Sequence, residues 1–159
     1  MAQQQGVFKA IRIVHLSMLL GLLLFTVISI IVNQRGFVAI ADESFDRMAQ
    51  LIAVIFSATA LVLGFKLFKR RLTAARESAE PAEKRMGQYM AACLLWWALI
   101  EGPGLLAVIG FLVTGNYAFI GLAVFHILLL LVFMPRKDNI ILLLNLNSEE
   151  VKRLEGLRQ

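Results

Sequence analysis

"YMAACLLWWALIEGPGLLAVIGFLVT", residues 89 to 114, holds a single charged side chain, Glu101, in a long apolar run. As a helix rising 1.5 Å per residue this run covers about 39 Å, enough to cross a hydrocarbon core of roughly 30 Å. In lipid every backbone amide needs an internal partner, which leaves helices and closed barrels. Barrel strands are about half as long and alternate polar with apolar residues, so the run is a membrane helix.

Three more runs flank it. "IVHLSMLLGLLLFTVISIIV" (13–32) and "MAQLIAVIFSATALVLGFKLF" (48–68) precede it, and "AFIGLAVFHILLLLVFM" (118–134) follows, ended by Pro135. The expected fold is therefore all-α: an integral membrane four-helix bundle with spans at about 11–32, 48–68, 88–114 and 117–134. Together they form one transmembrane domain over residues 1–135. Ser57 and Thr59 in the second span are expected to bond back to their own helix carbonyls. The overall composition agrees, at 59% hydrophobic residues and a mean hydropathy of +0.76. The first run is too long for a signal peptide and no small-residue cleavage site closes it, so it is expected to stay as a helix.

The net charge of +5 gathers beside helix ends rather than on a soluble module, which speaks for topology and against nucleic acid as a partner. "KRRLTAARESAEPAEKR" separates spans two and three, whereas "GNY" between spans three and four is uncharged. The positive-inside rule puts the basic loop, and with it both termini, in the cytoplasm. "ADESFD" offers Asp42 or Ser44 as the N-cap of the second span. Cys93 is the sole cysteine, so no internal disulfide forms and it reads as a small core residue.

After Pro135, residues 136–159 form an amphipathic tail. "NIILLLNLN" is too short to span and reads as a strand or a surface-lying continuation. Asn147 with Glu150 three residues on marks a helix start, giving a helix over 148–157 with Val151, Leu154 and Leu157 on one side. The tail is expected to dock on lipid headgroups or on the protein's own basic loop.

Glu101 lies near the centre of the third span and is followed at once by Gly102, Pro103 and Gly104. An ionised carboxylate there costs at least about 2.5 kcal/mol, so the acid is expected to be protonated, paired or facing a polar cavity. Pro103 removes the donor to the Leu99 carbonyl and the glycines ease a bend, so acid and helix break together define a candidate ion- or proton-binding site. The alternative is that Gly102, Pro103 and Gly104 permit close packing and Glu101 is simply hydrogen-bonded to a neighbour. Equal depth across the hairpin at Gly115 brings His126 within about one turn of Glu101, which makes it the expected partner. His15 lies on the first span at a different depth, which disfavours ligation of haem by the two histidines. No third ligand converges, so neither metal nor cofactor is expected. No nucleophile with a base and no phosphate loop is present, so enzymatic activity is not expected.

Trp96 and Trp97 sit inside the third span, which predicts packing between helices or on acyl chains. The small pairs Ser17/Gly21, Ala53/Ser57, Ala60/Gly64 and Ala98/Gly102 allow backbones to approach closely, within a compact bundle or in a homo-oligomer or larger membrane complex.

"ALIEGPGLLAVIGFLV" (98–113) resembles the carboxylate helix of the rotor-ring proteolipids of F- and V-type ATPases, with an acid after Ala-Leu-x, a glycine and an aliphatic run. The resemblance implies that Glu101 carries a proton or sodium ion. As a whole the chain is similar to small four-span proteins of Gram-negative bacteria. Two functions follow as expectations: a non-catalytic structural or accessory inner-membrane protein, or a proton- or sodium-handling protein using Glu101.

Overall fold

The computed structural model describes residues 7–36 and 42–155. Every element among them is an α-helix: α1 (Val7–Gln34), α2 (Glu43–Glu77), α3 (Ala82–Thr114), α4 (Tyr117–Val132), α5 (Lys137–Leu144) and α6 (Ser148–Leu154). Three helices, α1 to α3, are each long and apolar enough to cross a membrane, and α4 with α5 makes a fourth if that pair, bent by 71°, is counted as one broken span. Large aliphatic side chains such as Leu24, Leu51, Ile55 and Leu128 stand more than half exposed on the outer faces. Such faces suit an apolar solvent, since water-facing helices put polar residues there.

The third helix is the hub. It packs against α2 most extensively and against α4 and α1, and α4 closes the bundle by also touching α1. The seam on α2 is made of small residues: Ala53, Ser57, Ala60 and Gly64 are its buried positions within the apolar stretch. A Cβ at Gly64 would come 2.9 Å from Cε3 of Trp96, so glycine is what lets the indole lie on the α2 backbone. Across the α3–α4 hairpin, Gly115 turns the chain at φ 70°, a conformation that glycine adopts without strain, while its amide donates to the Phe111 carbonyl at 2.7 Å.

The segment read as a basic loop is mostly helix. The second helix runs on through "KRRLTAARE" to Glu77, and α3 begins at Ala82, which leaves a connection of four residues. Ala75 and Ala82 are buried where the two helices meet beyond the apolar stretches. Good helix formers in the basic run, Ala, Arg, Leu and Glu, carry the helix on after the hydrophobic pattern stops. Asp42 is the N-cap of α2, accepting from the Phe45 amide at 2.8 Å, and Ser44 donates to the same carboxylate.

The tail is two short helices folded back on the basic end. "NIILLLNLN" is not a strand: it holds most of α5, which turns 71° from α4 and is closed by Asn145 in the left-handed conformation. Asn147 and Glu150 form the expected capping box of α6. Ile140, Leu144 and Leu154 are buried, α5 packs on α2 and α6 on α3. Arg85 of α3 ties the tail down, donating to the Leu144 carbonyl at 3.0 Å and standing 3.7 Å from Glu150. Leu157 lies outside the described residues.

Candidate functional site

Glu101 lies midway along the apolar part of α3, and helical geometry decides which way it points. The buried face of α3 carries Trp97, Ile100, Gly104, Ala107, Val108 and Phe111. Glu101, one turn on from Trp97, stands at the edge of that face, where the helix surface turns outward to Ala98, which is exposed, and Gly102, which is partly so. That edge turns toward α1: a Cβ at Gly21 would lie 3.8 Å from Oε1 of Glu101. The carboxyl is half-buried at the rim between α1 and α3, and among the described residues no hydrogen bond reaches it.

His126 is not its partner. The imidazole is fully buried and its Nε2 shares a 2.7 Å hydrogen bond with the Ser57 hydroxyl on α2. The depth argument placed the two residues within a turn of each other, but the azimuth differs. The position on α3 that faces His126 is Gly104, where a Cβ would come 3.1 Å from the His126 Cβ. The other ring nitrogen, Nδ1, has no hydrogen-bond partner among the described residues, and the Ser57 hydroxyl is taken up by the bond to Nε2. Ser57 therefore does not bond back to its own helix.

Gly102, Pro103 and Gly104 do three different things. The helix continues through them, with Pro103 buried inside α3. A Cβ at Gly102 would meet nothing within 4 Å, whereas one at Gly104 would press on Leu22 and His126. Close packing is thus the role of Gly104, and Gly102 stands on an uncovered face.

His15 forms a second polar tie through the core. Fully buried, it donates from Nε2 to the Leu130 carbonyl of α4 at 3.0 Å and meets the Trp97 ring edge-on at 4.6 Å between centroids. The two histidines therefore bond to α4 and from α4 rather than to each other. Among the described residues no group of three or more His, Cys, Asp or Glu side chains is placed to hold a metal ion. Trp96 and Trp97 are both buried between helices, with Trp96 in an aromatic cluster with Phe65, Phe68 and Phe133.

Sequence reasoning missed both histidine partners. The only signal for Ser57 was its place in the small-residue stripe of α2, and a backbone acceptor such as Leu130 carries no side-chain signature at all.

No protein-family model, curated protein or solved structure matches the chain.

Proposed function

We propose that the protein is a small non-catalytic membrane protein of structural or accessory kind, seated in a bacterial inner membrane with both termini cytoplasmic, whose Glu101 face packs against another membrane helix. The observation that carries this is the rim between α1 and α3. Gly21 and Ser17 on α1 and Ala98 on α3 are exposed small residues and Gly102 is partly so, and Glu101 lies beside them with no hydrogen-bond partner among the described residues. A carboxyl in hydrocarbon gains from any donor or acceptor a second helix brings, and small residues let that helix approach. The minimal occupant is a second copy, because a two-fold axis through this rim sets one protonated carboxyl against its equivalent and each then both donates and accepts. The basic end of the bundle supports the orientation.

Cross-linking tests it. In a Cys93→Ala background, Gly102→Cys should form covalent dimers under mild oxidation in vesicles, while Leu128→Cys on the outer face of α4 should not. Equal cross-linking at both positions, or none at Gly102, removes the reading.

A second reading has Glu101 taking up and releasing a proton or sodium ion, as the resemblance to rotor-ring proteolipids implies. It is favoured by the half-exposed setting of the carboxyl and by the lack of a neutralising cation beside it among the described residues. Under this reading Glu101→Gln abolishes ion flux in vesicles with the fold intact; under the first it leaves no flux to lose.

A further inference from the structure

At the basic end of the bundle, where α4 stops and the chain bends into α5, lies a cavity of about 250 Å³. Its walls are aromatic and apolar, with Phe68 of α2, Trp96 of α3 and Phe133 after α4, and its mouth carries Arg136 and Asn139. Three features of this cavity point to a ligand. The first is Trp96, which is 4% exposed and whose indole N–H finds no acceptor among the described residues. Gly64 of α2 meets the Cε3–Cζ3 edge of that ring, so the N–H edge lies away from Gly64. A buried donor left unpaired loses the full cost of its desolvation, and an acceptor supplied from the cavity removes that loss. The second is Arg136: among the described residues no carboxylate pairs with it, although its neighbours Lys137 and Arg85 are engaged by Glu155 and Glu150. The third is the start of α5, where Arg136 holds the N-cap position without a side-chain cap, so the first-turn amides stand open. Open amides at a helix start attract an anion. Asp138 in that turn is exposed and is not part of the cavity lining.

We propose that this cavity binds an anionic phospholipid of the leaflet at the basic end. The phosphate sits on Arg136 and the open amides of α5. An ester carbonyl accepts from the Trp96 indole, and the upper part of an acyl chain lies along Phe68 and Phe133. Both the apolar walls and the cavity's position at the end of the apolar stretches call for an amphiphile rather than a soluble anion, since a free phosphate has nothing to offer the aromatic lining. The occupant is therefore a structural lipid that braces the α4–α5 bend.

Tryptophan quenching reads this directly, because the chain has only two tryptophans. Trp97 also lines the cavity, so it is replaced by Phe, which keeps an aromatic wall there and leaves Trp96 as sole reporter. The full chain is reconstituted in phosphatidylcholine vesicles holding a small fraction of either brominated phosphatidylglycerol or brominated phosphatidylcholine. Both lipids carry the phosphate, but the quaternary ammonium of phosphatidylcholine offsets its charge, whereas phosphatidylglycerol keeps a net negative charge that one arginine rewards about fivefold, so phosphatidylglycerol should reach half-maximal quenching at about a fifth of the mole fraction. Arg136→Ala should erase that preference, and since Arg136 is exposed the variant keeps the fold. Arg71→Ala, an exposed cation on α2 outside the cavity, should retain it. Equal quenching by the two lipids in the Trp97→Phe chain overturns the proposal, and so does an equal loss of preference in the Arg71 and Arg136 variants, which means diffuse surface charge.

Discussion

Gly102 and Gly104 are two residues apart on α3 and meet opposite surroundings. At Gly104 an added methyl would press on a Leu22 methyl at 2.9 Å, which can swing aside, and on the His126 Cβ at 3.1 Å, which is fixed to the α4 backbone. Gly104→Ala should therefore destabilise the bundle by about 1 to 3 kcal/mol through overpacking. Gly102→Ala meets open space and gains helix propensity, so it should be neutral or raise stability by up to about 1 kcal/mol. Denaturation midpoints of the two variants in one detergent check the contrast. Ser57→Ala should cost about 1 to 3 kcal/mol by leaving the buried Nε2 of His126 without a partner. Glu101→Gln should not move stability in that direction, since Glu101 and His126 are not bonded. The acid and its central depth were legible in the sequence because a charge stands out in an apolar run. Its partner was not, because depth follows from counting residues, whereas azimuth depends on how the hub helix is rotated.

Among the elements, α2 was the most readable and also the most underestimated. The four-residue spacing of Ala53, Ser57, Ala60 and Gly64 named its packing seam, and those positions are its buried ones. The equally regular pairs Ser17/Gly21 and Ala98/Gly102 are uncovered within one chain. Spacing alone cannot tell an internal seam from an external one, because both need small residues. The helical extension of α2 and α3 past the apolar stretches was hidden, since hydropathy marks where a membrane ends and not where a helix does. That extension gives the tail its seat. Arg85, its side chain only 12% exposed, joins the Leu144 carbonyl and Glu150 and so holds α5 and α6 together on α3. A hydrogen bond to a charged group contributes about 1.5 to 3 kcal/mol. Arg85→Ala should accordingly raise the open population of the tail at least about tenfold. Limited proteolysis after Pro135 reads this as a matching rise in cleavage rate, with cleavage in the first connection, around residue 35, unchanged.

On the scale of the whole molecule the two ends of the bundle are held by different chemistry. The basic end is closed by aliphatic packing of the tail and by ion pairs, while the hairpin end is closed by carboxylates at the start of α2, before the apolar stretch begins. Asp46 accepts from Asn116 of the hairpin at 2.7 Å and from Gln50 at 3.0 Å, so the first turn of α2 is latched to the α3–α4 turn. The bond from Asn116 favours the charged form and lowers the Asp46 pKa from its ordinary 3.8. Asp42 shifts the same way, first because the Phe45 amide bonds its carboxylate at the N-cap. For both groups the folded value lies below the unfolded one. Their contribution is therefore complete above about pH 4 and is lost as pH falls through the lowered folded values. The hairpin end should consequently loosen in acid while the basic end keeps its aliphatic packing. Amide exchange followed from neutral pH down through this window should show protection lost first over residues 43–50 and 114–118. Asp46→Asn should remove much of the pH dependence at the hairpin by weakening the latch at every pH, and Asp42→Asn, which still caps the helix, should leave the hairpin response in place. Uniform loss of protection along the chain, with no lead at these residues, would show that the latch does not hold this end.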